Sequence, residues 1–306
     1  MEEQEWLAAR FEENRVRLKA VAYRMLGSSS EAEDAVQDAW IRLSRSDAEA
    51  IENLSGWLTT VVARICLNML RSRRLGEERT TQAVLPDPVV AGEGWGEPES
   101  EALLADSVGL ALLVVLDTLA PAERLAFVLH DMFDVPFDDI AAMLDRSPAA
   151  TRQLASRARR RVQGAAIPEP DADLPRQREV LDAFFAAARG HDFDSLVAML
   201  DPDVVLRADG GGVPGVPSLI RGADAVARQA LRFALPQAVL HHAVINGAAG
   251  VVVTSRGKPV SVMGFTIVGG RVVEINGIYG DRLAKLDLTL TTGPGTQPVG
   301  QEARRP

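Results

Sequence analysis

The sequence predicts a multidomain protein in which two all-α lobes precede an α+β domain. Apolar residues recur at helical spacing in residues 1–75 and again in 101–168, and a stretch rich in Gly, Pro and Glu separates them at 76–100. Within residues 176–288, a helical stretch is followed by short runs of Val and Ile, a pattern typical of strands. We expect 76–100 to be a flexible acidic linker and 289–306 a flexible tail.

Charge is unevenly distributed along the 306 residues. The formal net charge of −9 argues against general binding to nucleic acid, but residues 53–76 hold four arginines and no carboxylate, and residues 146–161 hold six arginines and no carboxylate. Residues 77–101 instead hold seven acidic side chains. Because salt screens a charge within roughly 8 Å, these local blocks decide which surfaces attract DNA.

Composition also bears on metal sites, location and membranes. Cys66 is the one cysteine, which excludes an internal disulfide and a cysteine-rich metal cluster, and we expect no metal and no cofactor. The acidic N-terminus lacks the basic and apolar segments of a secretory signal, and the longest apolar run, Leu110–Leu116, is too short to span a membrane. We therefore expect a cytoplasmic protein without a membrane partner.

Helix signals divide the first lobe into three helices. The segment Gly27–Ser30 ends the first helix, and Ser30 with Glu33 three residues later predicts a capping box for the second, Glu31–Leu43. The segment Asn53-Leu-Ser-Gly56 then leads into a third helix, which is expected to run through about Arg74. The polar face of the second helix carries Asp34, Gln37 and Asp38. A basic partner would offset the repulsion between these acids, but an ordinary solvated face explains the pattern equally well.

A helix-turn-helix is predicted in residues 127–162. The short helix Asp138–Leu144 is followed by a tight turn and by the helix Ser147–Val162, which Ser147 caps and Pro148 begins. Five side chains on its first turns are of the types that read bases: Thr151, Arg152, Gln153, Ser156 and Arg157. The arginines near its end, Arg160 among them, suit backbone phosphates. A solvated basic helix end is the alternative interpretation.

The C-terminal part is predicted to combine helices with a curved antiparallel sheet. The helix Arg176–Arg189 opens it, a second helix is expected at Asp224–Leu235, and Gly269–Gly270 predicts a two-residue hairpin turn. The predicted strands are Val204–Ala208, Val239–Asn246, Val251–Ser255, Val260–Val268 and Val272–Tyr279.

The helical lobes resemble the bacterial sigma factors of the extracytoplasmic-function group. The resemblance lies in the stretches Ser30–Leu43, Gly56–Arg74 and Asp138–Leu154, in this order and with an acidic linker between the lobes. It implies that residues 1–75 are sigma region 2 and residues 101–168 are sigma region 4. Such a protein would direct the RNA polymerase core to specific promoters and initiate transcription.

The resemblance also implies a partner for each charged surface. The acidic face of the second helix would bind the basic clamp helices of the polymerase β′ subunit, and the linker would thread the cleft of the core, which the β′ and β subunits form. The loop Arg45–Leu54 would capture an unpaired base of the −10 element. The third helix would hold that element through Trp57, Arg64, Asn68, Arg71, Arg73 and Arg74. For each of these arginines, a plain surface salt bridge is the alternative. Region 4 would read the −35 element.

Residues 176–288 resemble the SnoaL-like domains of the nuclear-transport-factor-like superfamily, which form a cone-shaped pocket. One subgroup of these sigma factors carries such a domain with an Asp-Gly-Gly-Gly signature, matched here by Asp209, Gly210, Gly211 and Gly212. The resemblance implies that the signature docks on the lobes or the linker and that the domain modulates promoter activity; a flexible loop tip is the alternative. The subgroup's Trp-Leu-Pro linker signature reads Val84-Leu85-Pro86 here, so a contact through the tryptophan is not expected.

Two other functions fit parts of the sequence. Relatives of the C-terminal fold include enzymes with a general base, for which Asp209, His241 and His242 are candidates, although neighbours on a strand face opposite sides. We expect no enzymatic activity and regard an unidentified small-molecule ligand in the cone as a further candidate partner. A ligand-responsive repressor is the other rival, but it leaves the acidic second helix and the arginine-rich third helix without a role.

Overall fold

Two helical lobes and a sheet-containing domain are observed, so the predicted fold class is confirmed. The computed structural model describes residues 2–47, 51–77, 85–91, 109–210, 217–233, 237–286 and 288. The helices of the first lobe are α1 (Glu2–Leu26), α2 (Ser29–Leu43) and α3 (Leu54–Glu77). Among the helices in these described ranges, none has the length and apolar character needed to cross a membrane.

The second helix begins earlier than the sequence predicted. Ser28, not Ser30, is the N-cap of α2, and its side chain accepts a hydrogen bond from the Glu31 amide. The chain has already turned at Gly27, where a φ of +69° ends α1. Glu33, which the prediction assigned to a capping box, forms ion pairs of 2.7 and 2.9 Å with Arg15 and Lys19 on α1.

The second lobe packs directly against the first. Its elements are α4 (Leu110–Asp117), α5 (Pro121–Phe127), a π-helical turn (Val128–Met132), α6 (Phe137–Leu144) and α7 (Pro148–Gly164). Buried side chains of both lobes belong to one continuous apolar cluster, to which α3 contributes Leu67 and Leu70 and α5 contributes Leu125. The two lobes therefore share a core, whereas helical periodicity alone predicted two separate units.

The C-terminal domain wraps helices around one face of a sheet. Its helices are α8 (Leu174–Arg189), α9 (Phe193–Met199) and α10 (Ala223–Phe233). The strands are β1 (Val90–Ala91), β2 (Leu200–Asp209), β3 (Leu219–Arg221), β4 (Ala238–Ile245), β5 (Ala248–Ser255), β6 (Lys258–Val268) and β7 (Arg271–Tyr279). They are ordered β1-β4-β5-β6-β7-β2-β3. A short 3₁₀ helix, Gly280–Lys285, follows β7 and is called the C-terminal turn below.

The sheet differs from the predicted antiparallel sheet at one place. Strands β2 and β7 are parallel, with Leu206 opposite Ile275, whereas the other neighbouring strands are antiparallel. No hairpin sets their direction, because β3 to β6 lie between them along the chain. The predicted hairpin at Gly269–Gly270 is confirmed, since both glycines have positive φ and join β6 to β7.

Part of the predicted flexible linker is folded, which makes the prediction wrong for residues 85–91. These residues are buried, and their strand β1 pairs with the edge of β4, where Val90 lies opposite Ile245. The sequence predicted disorder because the segment has too few apolar residues for a core of its own, but the C-terminal sheet supplies apolar contacts and backbone partners. We call residues 85–91 the docked linker. Residues 76–77 of the predicted linker belong to the end of α3. Its remaining residues, 78–84 and 92–100, lie outside the described residues, as do 101–108 of the predicted second lobe and the predicted tail, 289–306.

Candidate nucleic-acid interface and domain junction

The acidic face of α2 points to solvent. Asp34, Gln37 and Asp38 are all exposed, while the opposite face of the helix is buried in the first lobe through Ala35, Val36 and Ala39. The two carboxylates lie one turn apart on the exposed face. The arrangement leaves a negative surface available to a basic partner.

Helix α7 starts where the sequence predicted it. The Ser147 hydroxyl accepts a hydrogen bond of 3.2 Å from the Ala150 amide, and Pro148 occupies the first helical position. Asp145 before it adopts a φ of 57° and a ψ of 48°, the left-handed conformation that ends α6. The turn between α6 and α7 is therefore set by local side-chain chemistry, which explains why it was readable from the sequence.

Most of the predicted base-reading side chains are exposed on α7, but Thr151 is not. The exposed ones are Arg152, Gln153, Ser156, Arg157 and Arg160. Thr151 is fully buried, and its hydroxyl donates a hydrogen bond of 3.1 Å to the Ser147 carbonyl. Its position lies in register with the buried Leu154, Ala155 and Ala158, so it belongs to the face that packs on α6. The assignment of Thr151 to base reading was therefore wrong.

The basic end of α7 is tethered to α5 and the π-helical turn. Glu123, whose side chain is 9% exposed, accepts from Arg157 and Arg161 at 3.1 Å each. Arg159 pairs with Asp131 at 2.5 Å. These half-exposed pairs orient the guanidinium groups, although pairs of this kind contribute little stability.

The predicted −10 side chains of α3 divide into three groups. Asn68 and Arg71 are exposed, whereas Trp57 is half-buried and packs against the shared core. Arg73 forms an ion pair with Glu31 and donates a hydrogen bond of 3.0 Å to the Leu26 carbonyl, so it is engaged within the first lobe. The loop expected to capture a base, residues 45–54, is only partly within the described residues.

Two further arginines of α3 are bound to the second lobe. Arg64 donates to the Ala142 carbonyl at 3.2 Å, and Arg74 donates to the Leu119 carbonyl at 2.7 Å. Both side chains remain exposed, and each uses one of its five N–H donors on a carbonyl, so these bonds direct the two guanidinium groups toward the second lobe. The helix that was predicted to engage the −10 element therefore faces the second lobe.

Arg124 joins the lobes from the inside, and sequence reasoning missed it. Its side chain is 2% exposed, and its guanidinium donates 2.9 and 3.1 Å hydrogen bonds to the Asp117 carboxylate and the Arg24 carbonyl. Burial lowers the pKa of Arg124, and the Asp117 carboxylate opposes this effect. No sequence pattern marks Arg124, because Asp117 lies on the preceding helix seven positions earlier and the other acceptor is the backbone carbonyl of Arg24.

The docked linker connects the first lobe to the C-terminal domain through Asp87. The Asp87 amide donates to the Gly27 carbonyl at 2.7 Å, and its carboxylate accepts from the Ser29 amide at 3.2 Å. The Asp87 carbonyl accepts a 2.5 Å hydrogen bond from the hydroxyl of Tyr23, and burial raises the pKa of that tyrosine. Asp87 is 3% exposed, so these contacts are shielded from water.

Arg282 on the C-terminal turn clamps the linker from the other side. Its guanidinium lies 2.9 Å from the Asp87 carboxylate, donates to the Leu85 carbonyl at 2.7 Å, and donates to Asp209 at 3.1 Å. Asp209 is the first residue of the Asp-Gly-Gly-Gly signature, and its carboxylate accepts from the same arginine that holds the linker. Gly210 follows it at the end of β2, and Gly211 and Gly212 lie outside the described residues.

The C-terminal domain contains a cavity of about 500 Å³ between the sheet and helices α8 and α10. Asp209, His241 and His242 are not part of its lining. His241 is hydrogen-bonded to Thr254 at 3.0 Å and His242 to Asp182 at 2.9 Å. The three candidates for a general base are therefore not brought together in the cavity.

Comparisons with known proteins identify the class of both lobes. The family model of Sigma-70 region 2 matches residues 10–75, and that of Sigma-70 region 4 matches residues 109–162. The fold and the two surfaces thus define a sigma factor of the Sigma-70 class, a protein that directs RNA polymerase to specific promoters for transcription initiation.

Comparisons over most of the chain identify a particular group of sigma factors. The chain is 43% identical over 220 residues to the ECF RNA polymerase sigma factor SigJ of Mycobacterium tuberculosis, a match that covers 71% of this chain and 70% of that protein. It is 32% identical to the probable ECF sigma factor SigI of the same species, over 90% of this chain and 94% of that one. The crystal structure of M. tuberculosis SigJ superposes with a TM-score of 0.71 at 35% identity, covering 92% and 99% of the two chains. The chain belongs to the ECF RNA polymerase sigma factors.

Proposed function

We propose that this ECF sigma factor is held in a closed form by its own linker and C-terminal domain, and that binding to polymerase and promoter requires this form to open. The contact of Arg282 with Asp87, Leu85 and Asp209 carries the proposal. It joins the C-terminal domain to a linker segment that is hydrogen-bonded to the first lobe. The Arg282 side chain thus links the C-terminal turn, the end of β2 and the docked linker.

The orientation of α3 supports a closed form in which part of the proposed −10 surface is directed toward the second lobe. Arg64 and Arg74 donate hydrogen bonds to backbone carbonyls of the second lobe. Because both arginines are exposed to solvent, each of these hydrogen bonds contributes only about 0.5–1.5 kcal/mol. If Arg64 and Arg74 leave these carbonyls for DNA phosphates, the bonds between the lobes are lost. Promoter binding and separation of the lobes are therefore coupled.

The polymerase-binding and −35 surfaces remain accessible in the closed form. The α2 residues Asp34, Gln37 and Asp38 would contact a basic surface of the polymerase core. The α7 residues Arg152, Gln153, Ser156, Arg157 and Arg160 would contact the −35 element. Because both faces are exposed before opening, the core can be engaged first and the lobes separated afterwards. After the lobes separate, α3 would contact the −10 element through Trp57, Arg64, Asn68, Arg71, Arg73 and Arg74.

We also infer that the C-terminal domain acts as a regulatory module without catalytic activity, in the cytoplasm where transcription takes place. A general base must reach the substrate, but Asp209 is paired with Arg282 and the two histidines are bonded outside the cavity lining. A docking role accounts for Asp209 better than a catalytic role does, because its carboxylate fixes the arginine that holds the linker.

Removal of the clamp tests this function. Promoters are first selected from a library with random −35 and −10 sequences, using the full-length protein and bacterial core polymerase. Arg282→Ala should then raise transcript yield at limiting protein concentration by about tenfold, since 1.4 kcal/mol corresponds to a factor of ten. The matched control is Arg178→Ala, which removes an exposed arginine of α8. Equal yields from the Arg282→Ala and Arg178→Ala variants would contradict the proposal.

A further inference from the structure

A further cavity lies between the second lobe and the C-terminal sheet, and we call it the junction cavity. Its volume of about 460 Å³ lies within the range of roughly 300–1,000 Å³ that small-molecule sites occupy. The start of α4 lines it through Leu110 and Leu112, and the sheet lines it through Ala248 and Gly264. A Cβ atom on Gly264 would lie 3.7 Å from the Cδ2 atom of Leu110, so the missing side chain lets α4 approach the strand closely.

The junction cavity lies on the opposite face of the sheet from the cavity beneath helices α8 and α10. Ile275 and Tyr279 of β7 line the cavity beneath these helices. Side chains alternate along a strand, so Glu274 and Asn276 point to the other face, where Asn276 lines the junction cavity. No described residue lines both cavities, so each can be filled by a substitution that leaves the other open.

Asn276 brings an unsatisfied acceptor to the junction cavity. Its side-chain amide donates a 2.7 Å hydrogen bond to the Glu274 carboxylate, which also pairs with Arg207 at 2.7 Å. This contact fixes the orientation of the amide and leaves its oxygen, Oδ1, at the other end. Asn276 is 3% exposed, and none of the described residues donates a hydrogen bond to Oδ1. A buried acceptor without a partner is costly, and a ligand that donates an N–H to it removes this cost.

The chain that connects α7 to α8 closes the junction cavity. Residues 166–170 line it, and two of them are prolines. Asp171 holds this connection on the sheet, because its amide donates to the Ile267 carbonyl at 2.8 Å and its carboxylate accepts from the amides of Gly269 and Gly270 at 2.9 and 3.0 Å. The cavity is therefore complete only while the second lobe is packed against the sheet.

We propose that the junction cavity binds a compact, largely apolar molecule with an N–H donor, of the chemical class of the indoles, and that this ligand holds the second lobe against the C-terminal sheet. The apolar walls favour such a ligand, and the Asn276 oxygen can only accept a hydrogen bond, so it selects a donor. The second part rests on the closed form proposed above. A ligand that binds the closed form alone lowers the population of the open form by the factor 1 + [L]/Kd.

Binding is tested on the full-length protein with 5-fluoroindole, whose fluorine signal is followed by NMR. The expected result is a saturable shift and broadening of this signal. The matched ligand 5-fluoro-1-methylindole lacks the N–H donor and should bind about fivefold more weakly. Asn276→Leu removes the acceptor, so it should weaken 5-fluoroindole by a similar factor and remove the difference between the two ligands. Absence of saturable binding, or equal affinity of the parent protein for both ligands, overturns the site.

The location of the site is tested by filling each cavity in turn. Thr266 on β6 is half-buried and lines the junction cavity, so Thr266→Trp should abolish the binding of 5-fluoroindole. Val268→Trp is the control on the same strand, since Val268 is 38% exposed and lies outside the lining. Met263→Trp fills the cavity beneath α8 and α10 and should leave the affinity unchanged. Binding that survives Thr266→Trp, or that Met263→Trp abolishes, overturns this location.

The effect on the closed form is measured by transcript yield at limiting protein concentration. At ten times its Kd, 5-fluoroindole should lower the yield of the parent protein about tenfold and leave that of Thr266→Trp unchanged. An unchanged yield of the parent protein, or an equal fall in the variant, overturns this second part. The closed form itself is tested without ligand by Arg282→Ala against Arg178→Ala, and the site is tested by NMR, so their failures are distinguishable.

Discussion

The Asn246 side-chain amide donates a hydrogen bond of 3.0 Å to the hydroxyl of Tyr23, although the two residues are 223 positions apart. The same hydroxyl donates to the Asp87 carbonyl, and the Asn246 side-chain oxygen accepts from the Val89 amide at 3.0 Å. The first helix, the linker and the C-terminal sheet thus meet around one buried tyrosine.

Tyr23→Phe should lower the free energy of unfolding by about 1–2 kcal/mol. The substitution removes a hydroxyl that has two buried partners, and both partners lose a hydrogen bond without access to water. Thermal or urea unfolding of the full chain measures the effect. Trp6→Phe on the exposed part of α1 serves as the control, since Trp6 is 51% exposed. A Tyr23→Phe variant as stable as the parent protein would show that the junction does not hold the linker.

The charge-reversed variant with Asp34→Lys and Asp38→Lys should bind core polymerase more weakly. The two carboxylates are exposed on α2 and would face a basic surface, so reversal replaces attraction with repulsion. Affinity for core is measured at two salt concentrations, because screening should reduce the difference. Glu13→Lys on α1 changes an exposed acid elsewhere in the first lobe. If Glu13→Lys weakens core binding to the same extent, the assignment of the α2 face to core binding is wrong.

Arg157→Ala should change the preferred −35 sequence. A lost bidentate contact to a base costs about 1–3 kcal/mol at one position of the site and little elsewhere. Arg161→Ala is a matched comparison, because both arginines bind Glu123 at 3.1 Å but Arg161 lies at the helix end. Selection from a library of −35 sequences distinguishes them. If Arg157→Ala weakens all promoters uniformly, Arg157 contacts phosphate.

The Cys66 thiol should react slowly in the closed form. Burial raises the pKa of Cys66 to about 12, far above the usual value of about 8.5, so little thiolate exists at pH 8. Cys66 is buried in the apolar cluster that the two lobes share, so its access to reagent depends on how the lobes pack together. Arg282→Ala should therefore accelerate modification by a disulfide reagent, with Arg178→Ala as the control. Rapid modification of the parent protein would contradict a closed core.

Local signals in the sequence were sufficient to predict the helices, and the start of α7 most accurately. Ser147, Pro148 and the αL residue Asp145 define the turn within a few positions, and this local chemistry persists in the folded protein. Thr151 shows the limit of that reasoning. A residue type that suits base reading also suits a buried helix position where its hydroxyl bonds the preceding turn, and only packing decides between the two.

Contacts between residues far apart along the chain could not be predicted from the sequence. The docked linker has a strand of two residues, too short for a periodic pattern, and it is stabilised by β4, which lies more than 140 positions later. The arginines of α3 were correctly recognised as a cluster, but sequence could not show that Arg64 and Arg74 bind carbonyls of the second lobe. Asp209 was singled out by its signature, while its partner Arg282 carried no signature at all.

The distance between the lobes in solution tests the closed form most directly. Spin labels attached through Arg42→Cys on α2 and Ala165→Cys after α7, in a Cys66→Ser background, place both probes at exposed positions. Pulsed electron resonance should give one narrow distance distribution for the free protein. Added core polymerase should shift it to longer distances, and Arg282→Ala should broaden it without polymerase. A free protein with a broad distribution that neither change affects would contradict the account.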